Sequence, residues 1–234
     1  MIERDRTEGY RGRLSRSLVL DRALALADAE GLEAVSIRRL SQELGVTPMA
    51  LYWHFKSKED LLTGLADRVV QEVDLSVDRS LPWLEQVRTL AESFLATLRR
   101  HPSACALLTD REPEGESSLV AQEVVLDVFR RAGFSPEEAA QLLRHAIRSL
   151  YSLVGGEPYA VPAVGQKEKE EMQRRARLFL ESLPIDRYPR LVEAARPLSS
   201  CDDPDGYYAF GLDLLLAGIQ AMSDRRASGR SGTA

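Results

Sequence analysis

A chain of 234 residues, 44% hydrophobic and 29% charged, is long enough to bury a core and too ordinary in composition for a fibrous or disordered protein. Its net charge of −5 speaks against a nucleic-acid partner only as a total, since residues 1–66 carry ten Lys/Arg and ten Asp/Glu while residues 67–234 carry 21 and 26. No stretch reaches the ~18 apolar residues of a membrane span, no apolar segment follows the N-terminus as a secretory signal would, and Cys105 and Cys201 lie far apart without a CxxC or histidine partner, which fits a reducing cytoplasm and leaves no metal site or disulfide framework.

Residues 1–16 read as a flexible basic arm. Ser17 is placed to cap a first helix with Val19, Ala23, Leu26 and Ala27 on one face, ending at Gly31. Ser36 caps a short second helix, IRRLSQEL, which Gly45 stops. Thr47 before Pro48 is a strong start signal for a third, PMALYWHF. Ser57 opens a fourth, reaching about Asp74, with Glu59 and Asp60 in its first turn, where carboxylates meet the positive end of the helix dipole. Leu61, Leu62, Leu65, Val69 and Val73 form its apolar stripe.

The remainder reads as longer amphipathic helices. One spans about Pro82 to Arg100, with Leu84, Val87, Leu90, Phe94 and Leu98 on one side. After a short segment and the acidic loop DREPEGESS, another runs from about Ser118 to Ala132. Ser135, Pro136, Glu137 and Glu138 make a capping box for a helix reaching Val154 and halting at Gly155 and Gly156. EPYAVPAVG is too rich in Pro and Gly to be regular, and KEKEEMQRRARLFLESL is a charged helix with a solvated face. Pro184, Pro189 and Pro197 leave room for a short helix at most. The last helix runs from about Pro204 to Met222, and residues 223–234 read as a disordered tail. The expectation is all-α, with a three-helix domain over residues 17–65 and a larger helical domain over 66–222.

Residues 36–55 carry the sharpest signal. Two helices joined by Gly45, Val46 and Thr47 make a helix-turn-helix, in which Gly45 supplies the left-handed conformation for the reversal. Val46 plugs the angle between the helices, and Ile37, Leu40, Leu44 and Leu51 form the small core beneath. A helix this short is marginal alone, so it lies against its neighbours and presents Thr47, Pro48, Met49, Tyr52 and His54 outward. Arg38, Arg39, Lys56 and Lys58 face Glu43 alone among acids over residues 38–58, a local basic footprint for a phosphate backbone.

Arg38 and Leu40, then Gly45-Val46-Thr47, Ala50 with Leu51-Tyr52-Trp53-His54-Phe55, and Ser57-Lys58-Glu59 before Leu61-Leu62 together resemble the DNA-binding domain of the tetracycline-repressor family over residues 17–65. Weaker similarity, in the Trp83 helix and in GFSPEEA, continues into the tetracycline-binding branch's core domain. The resemblance implies an all-helical homodimer, for the most part a repressor, released from a palindromic double-stranded DNA operator by a small ligand. It also implies that Arg38 reaches a guanine, whose O6 and N7 suit a bidentate guanidinium. Thr47, Pro48, Met49 and Ala50 would approach base edges, and with no strong donor on Pro48 or Met49, thymine methyl groups are the expected contacts. Tyr52, His54 and Lys58, with Lys56 beside them, would grip phosphates and set the register. Trp53 reads as a core aromatic and Arg39 as a solvated charge.

For the core domain the resemblance implies an inducer pocket, with Leu90, Phe94, Leu107, Arg111, Arg144 and Tyr151 as candidates by position. The tetracycline-binding branch holds drug and magnesium with histidines and an asparagine. The approximate counterparts here are Asp74, Leu90 and the Leu107-Leu108 stretch, so a more apolar inducer than tetracycline-magnesium is expected, with no metal and no cofactor. The nearly all-apolar last helix needs cover on every side. By resemblance it pairs, together with the helix around Leu142–Val154, with the symmetry mates in a four-helix bundle, with Leu143, Ile147, Leu150, Phe210, Leu214 and Ile219 as interface candidates. An enzyme is not expected: GxSxG and HExxH are absent, and His54, His101 and His145 stand apart in sequence from any catalytic partner. Two readings stay open beside the repressor, a helical small-molecule-binding protein of the same fold and a transcriptional activator.

Overall fold

The structure, a computed structural model, describes residues 14–109, 114–156 and 165–231. Helices α1 (Arg16–Glu30), α2 (Ile37–Glu43), α3 (Pro48–Tyr52) and α4 (Lys58–Val70) form the N-terminal part, with a single 3-10 turn at Leu32–Ala34 between the first two. The rest comprises α5 (Trp83–Arg100), α6 (Ala104–Thr109), α7 (Glu116–Arg131), α8 (Pro136–Gly155), α9 (Gln166–Glu181), α10 (Pro189–Glu193), α11 (Ala195–Ser199) and α12 (Pro204–Ser231). Among the described residues there is no strand, and no helix is long and apolar enough to cross a membrane.

The capping chemistry sets most of these boundaries. The side chains of Ser36, Thr47, Ser57 and Ser135 each accept a hydrogen bond from the backbone N–H three residues on, and Glu138 closes the capping box by accepting from the Ser135 N–H at 2.7 Å. Several boundaries shift, α4 stopping at Val70 rather than near Asp74 and two short helices, α10 and α11, standing where one at most is expected; two differences matter more. Ser15, rather than Ser17, caps α1 by accepting from the Leu18 N–H, so Arg16 begins the helix instead of ending an arm. Residues 1–13 of the expected arm, Arg11 and Arg13 among them, lie outside the described residues.

The second difference is at the far end, where α12 continues through residues 223–231 instead of giving way to a tail. Arg226 supplies the physical reason. Its guanidinium donates to the Gly133 carbonyl, lies 4.6 Å from the centre of the Phe134 ring and sits 3.5 Å from Glu138, which ties the last turns of α12 to the start of α8. An arginine held by a carbonyl, a ring and a carboxylate orders a segment whose composition alone suggests none.

Val19, Ala23, Val35, Leu40, Leu51, Phe55, Leu61 and Leu65, all fully buried, make the core of the N-terminal unit. In the larger part α7 packs across α4, α5 and α8, and α12 lies along α8 and α5. Gly211 allows the close approach of α12 to α8, since a Cβ there would collide with the Leu153 side chain. Helix α4 is the shared element: it touches α1 on one side and α5, α6 and α7 on the other.

Candidate nucleic-acid interface

The chain reverses between α2 and α3 at Gly45, whose φ of 65° lies in the region that side-chain-bearing residues avoid. Val46 and Leu44 pack from this turn onto the core. Helix α3 is one and a half turns long, shorter than the sequence suggests, because the chain leaves the helix after Tyr52. Leu51 is 0% exposed and anchors it from below, while Met49 is 66% and Tyr52 50% exposed above. Thr47 and Pro48 are exposed at its start and Ala50 is half-buried. The Thr47 hydroxyl accepts from the Ala50 N–H at 3.3 Å, which leaves its own proton free to donate.

Trp53 is not a core residue. It is 85% exposed, because the turn after α3 points it away from the body and Phe55 takes the interior position two residues later. Trp53 thus joins the exposed face, a residue that size and apolarity alone assign to the wrong side.

The junction of α3 and α4 is fastened by Arg16. Its guanidinium donates to the His54 carbonyl at 2.6 Å and to Asp60 Oδ1 at 2.8 Å, and lies 4.3 Å from the centre of the Phe55 ring. Asp60 also accepts the Lys56 backbone N–H at 2.9 Å. The Arg16 hydrogen bond, set against partial burial, holds the Asp60 carboxyl below its usual range. A carboxyl depressed in this way contributes stability that is full at neutral pH and falls away as pH drops through the carboxylate range. The half-buried His54 and the exposed Lys56 and Lys58 are thereby positioned on one short rigid stretch.

Arg38 is exposed on α2, and among the described residues its guanidinium has no carboxylate partner. Its neighbours differ. Arg39 pairs with Glu30 at 2.9 Å and Glu43 at 3.0 Å, and Arg22 pairs with Glu43 at 2.6 Å. The acids of this face therefore engage Arg22 and Arg39, leaving Arg38 available.

A hydrogen-bonded joint links this unit to the rest. His101 Nδ1 lies 2.8 Å from Asp28 Oδ2 on α1, and Nε2 lies 3.1 Å from Glu72 Oε2, in the turn that follows α4. Burial alone would raise the Glu72 carboxyl, but hydrogen bonds from His101 and Arg100 outweigh it and leave it below the ordinary value. The sequence gives no hint of this partnership, which spans 73 residues.

Behind α4 lies a cavity of about 820 Å³, within the ~300–1,000 Å³ of small-molecule sites. Of the inducer candidates, Leu90, Phe94, Arg144 and Tyr151 line it. Leu107 does not; it is buried on α6, and its neighbour Leu108 forms the wall. Arg111 lies outside the described residues. Phe94 and Tyr151 meet across the cavity lining with ring centres 5.8 Å apart, and burial pushes the Tyr151 phenol up, keeping it protonated. On the α4 wall, Asp67 Oδ1 accepts from the Ser118 N–H at 2.9 Å and from the Ser118 hydroxyl at 3.1 Å, so a side chain of α4 caps the start of α7. Asp74 stands in the loop after α4, accepting from the Ser76 N–H at 2.9 Å.

The six interface candidates divide. Leu143, Leu150 and Ile219 are buried within the protomer and Ile147 is half-buried, so packing of α8 with α12 and α7 already covers them. Phe210 is 72% and Leu214 67% exposed, and they continue along α12 into Ala217, Gly218, Ala221 and Met222, all exposed.

An exposed helix-turn-helix with an unpaired arginine, carried on a helical body, defines a DNA-binding transcription regulator. The chain belongs to the tetracycline-repressor family: residues 80–223 match the family model for the tetracyclin repressor-like C-terminal domain, and residues 19–65 match that for bacterial regulatory proteins of the tetR family. It is similar to the HTH-type transcriptional repressor DrrR1 of Streptomyces coeruleorubidus, at 26% identity over 94% of this chain and 82% of the relative. It is 27% identical to the class D tetracycline repressor protein of Escherichia coli, over 90% of this chain and 91% of that one. Among solved structures, the Streptomyces coelicolor TetR family protein ActR in complex with actinorhodin superposes with a TM-score of 0.77 at 28% identity, covering 90% of this chain and 98% of the other.

Proposed function

We propose that the protein acts in the cytoplasm as a homodimeric repressor on an inverted-repeat operator, and that a small molecule entering the cavity behind α4 releases it. The observation that carries this reading is the arrangement of α3. Its tip is exposed from Thr47 to Met49, while Leu51 and Phe55 clamp it from beneath. Arg38 reads a guanine, and Thr47, Pro48, Met49 and Ala50 meet base edges. Tyr52, His54, Lys56 and Lys58 hold phosphates, with Trp53 packing beside them against the sugar-phosphate backbone.

The apolar strip of Phe210, Leu214 and Met222 on α12 is the dimer contact, since a strip this size on a monomer calls for cover. Release follows from position. Helix α4 carries Ala66, Asp67 and Val70 on the cavity wall and Lys58 at the reading head, so a ligand that prefers a different setting of α4 alters the spacing of the two heads. Tetracycline-magnesium fits this lining poorly: of the approximate counterparts of the residues that hold it, Asp74 stands in the loop after α4, and Leu90 and Leu108 on the cavity wall are apolar.

A mobility-shift titration at increasing salt tests the reading. Affinity for operator DNA falls steeply with salt, and Lys58→Ala, which removes one phosphate contact per protomer, lowers the slope of log affinity against log salt by about 2. A slope unchanged by that substitution contradicts the assignment of Lys58.

A further inference from the structure

The cavity has a polarity that its apolar lining hides. Its side nearest α4 and the start of α7 holds two carboxylates, Asp67 and Glu114, and Asp67 is occupied by Ser117 and Ser118. Its α8 side holds Arg144 and Arg148, one helical turn apart and therefore on the same face. Among the described residues neither of these arginines has a carboxylate within salt-bridge distance, whereas Arg130 and Arg131, on the adjacent α7, donate to the Phe134 carbonyl and to Asp127. Between the two sides the wall is apolar and aromatic, with Phe94, Val125, Leu126 and Phe129.

Two guanidiniums without a carboxylate partner on the α8 wall of an apolar chamber form a receptor for an anion attached to an apolar body. A guanidinium presents a planar pair of donors that matches a carboxylate, and the nearby apolar wall lowers the local dielectric and strengthens the contact. The carboxylates on the α4 and α7 side repel the same head and so favour the α8 side for it. We infer that the ligand is an amphiphilic organic acid, seated with its anionic head on Arg144 and Arg148 and its apolar body toward α4.

The inference rests on the reading of the cavity as the inducer site, and two probes separate the two ideas. 8-Anilinonaphthalene-1-sulfonate and N-phenyl-1-naphthylamine share an aromatic body, and only the first carries an anion. Binding of each to the intact dimer is followed by fluorescence. The anionic probe binds at least about tenfold more tightly, and the double substitution R144Q/R148Q removes that advantage while leaving the neutral probe within about twofold. Both arginines are exposed, so this variant folds. Leu126→Trp, which fills the chamber, abolishes binding of both probes, and Ala121→Phe serves the same purpose should the larger side chain prevent folding. Equal affinities for the two probes, or an anionic advantage that survives R144Q/R148Q, overturn the inference and leave the cavity reading standing. Binding of neither probe, or binding that persists with the chamber filled, overturns both.

Discussion

Leu214→Asp gives a monomer, and its affinity for the full operator falls by at least ~10³-fold. Leu214 is 67% exposed in the isolated chain, beside the equally solvated Phe210 on α12. Burying a leucine of this kind contributes about 2 kcal/mol. A two-fold interface contains the residue twice, so one substitution removes two apolar anchors and places two carboxylates in the seam. Without the seam each head binds one half-site alone, and the gain from linking two half-sites is lost. Sedimentation reads the assembly and a shift assay reads the affinity. A variant that stays dimeric places the interface elsewhere. The side chain is solvated in the protomer, so the helical content of the chain is unchanged, and circular dichroism separates loss of assembly from loss of fold.

The second large effect belongs to Arg38. Replacing it with alanine costs ~1–3 kcal/mol of operator binding per protomer and relaxes the preference at a single base pair of each half-site. The selectivity of the effect is as informative as its size. Arg39, one residue on, is engaged by Glu30 and Glu43, so Arg39→Ala acts through the packing of α1 on α2 and leaves base preference unchanged. Measured on duplexes with every base at the contacted position, Arg38→Ala flattens the profile and Arg39→Ala lowers it evenly. A flat profile in the unsubstituted protein contradicts the role given to Arg38.

What the sequence makes legible is what lies within a few residues of itself. The caps at Ser36, Thr47, Ser57 and Ser135 follow from hydrogen bonds to the third residue on, and Gly31, Gly45 and Gly133 mark reversals through their positive φ. The reading head is therefore visible almost in full. What was hidden depends on partners far along the chain. Arg16 reads as part of a basic arm, yet its contacts are His54, Phe55 and Asp60. His101 reads as isolated, yet it bridges Asp28 and Glu72. Arg226 reads as part of a tail, yet it holds α12 against Phe134 and Gly133. Trp53 fails for a different reason: its size favours the interior, but a helix that stops one residue before it turns it outward.

The core domain was less legible because apolar spacing marks the buried face of a helix without saying whether its cover comes from the same chain. Leu143, Leu150 and Ile219 are covered within the protomer, and Phe210 and Leu214 are not. Periodicity counts both groups alike. The cavity likewise needs Leu90 of α5, Val125 of α7 and Tyr151 of α8 to stand apart, a property of packing and not of any one helix.

Two copies of one exposed helix tip are expected to enter the same face of a duplex. Selection of bound fragments from random DNA by the intact protein tests this in one step. The expected product is an inverted repeat whose half-sites lie about one helical turn, ~34–36 Å, apart or a multiple of it, with a guanine in each that Arg38→Ala ceases to select. Recovery of a single half-site without symmetry, or of sequences no more enriched than by chance, contradicts it.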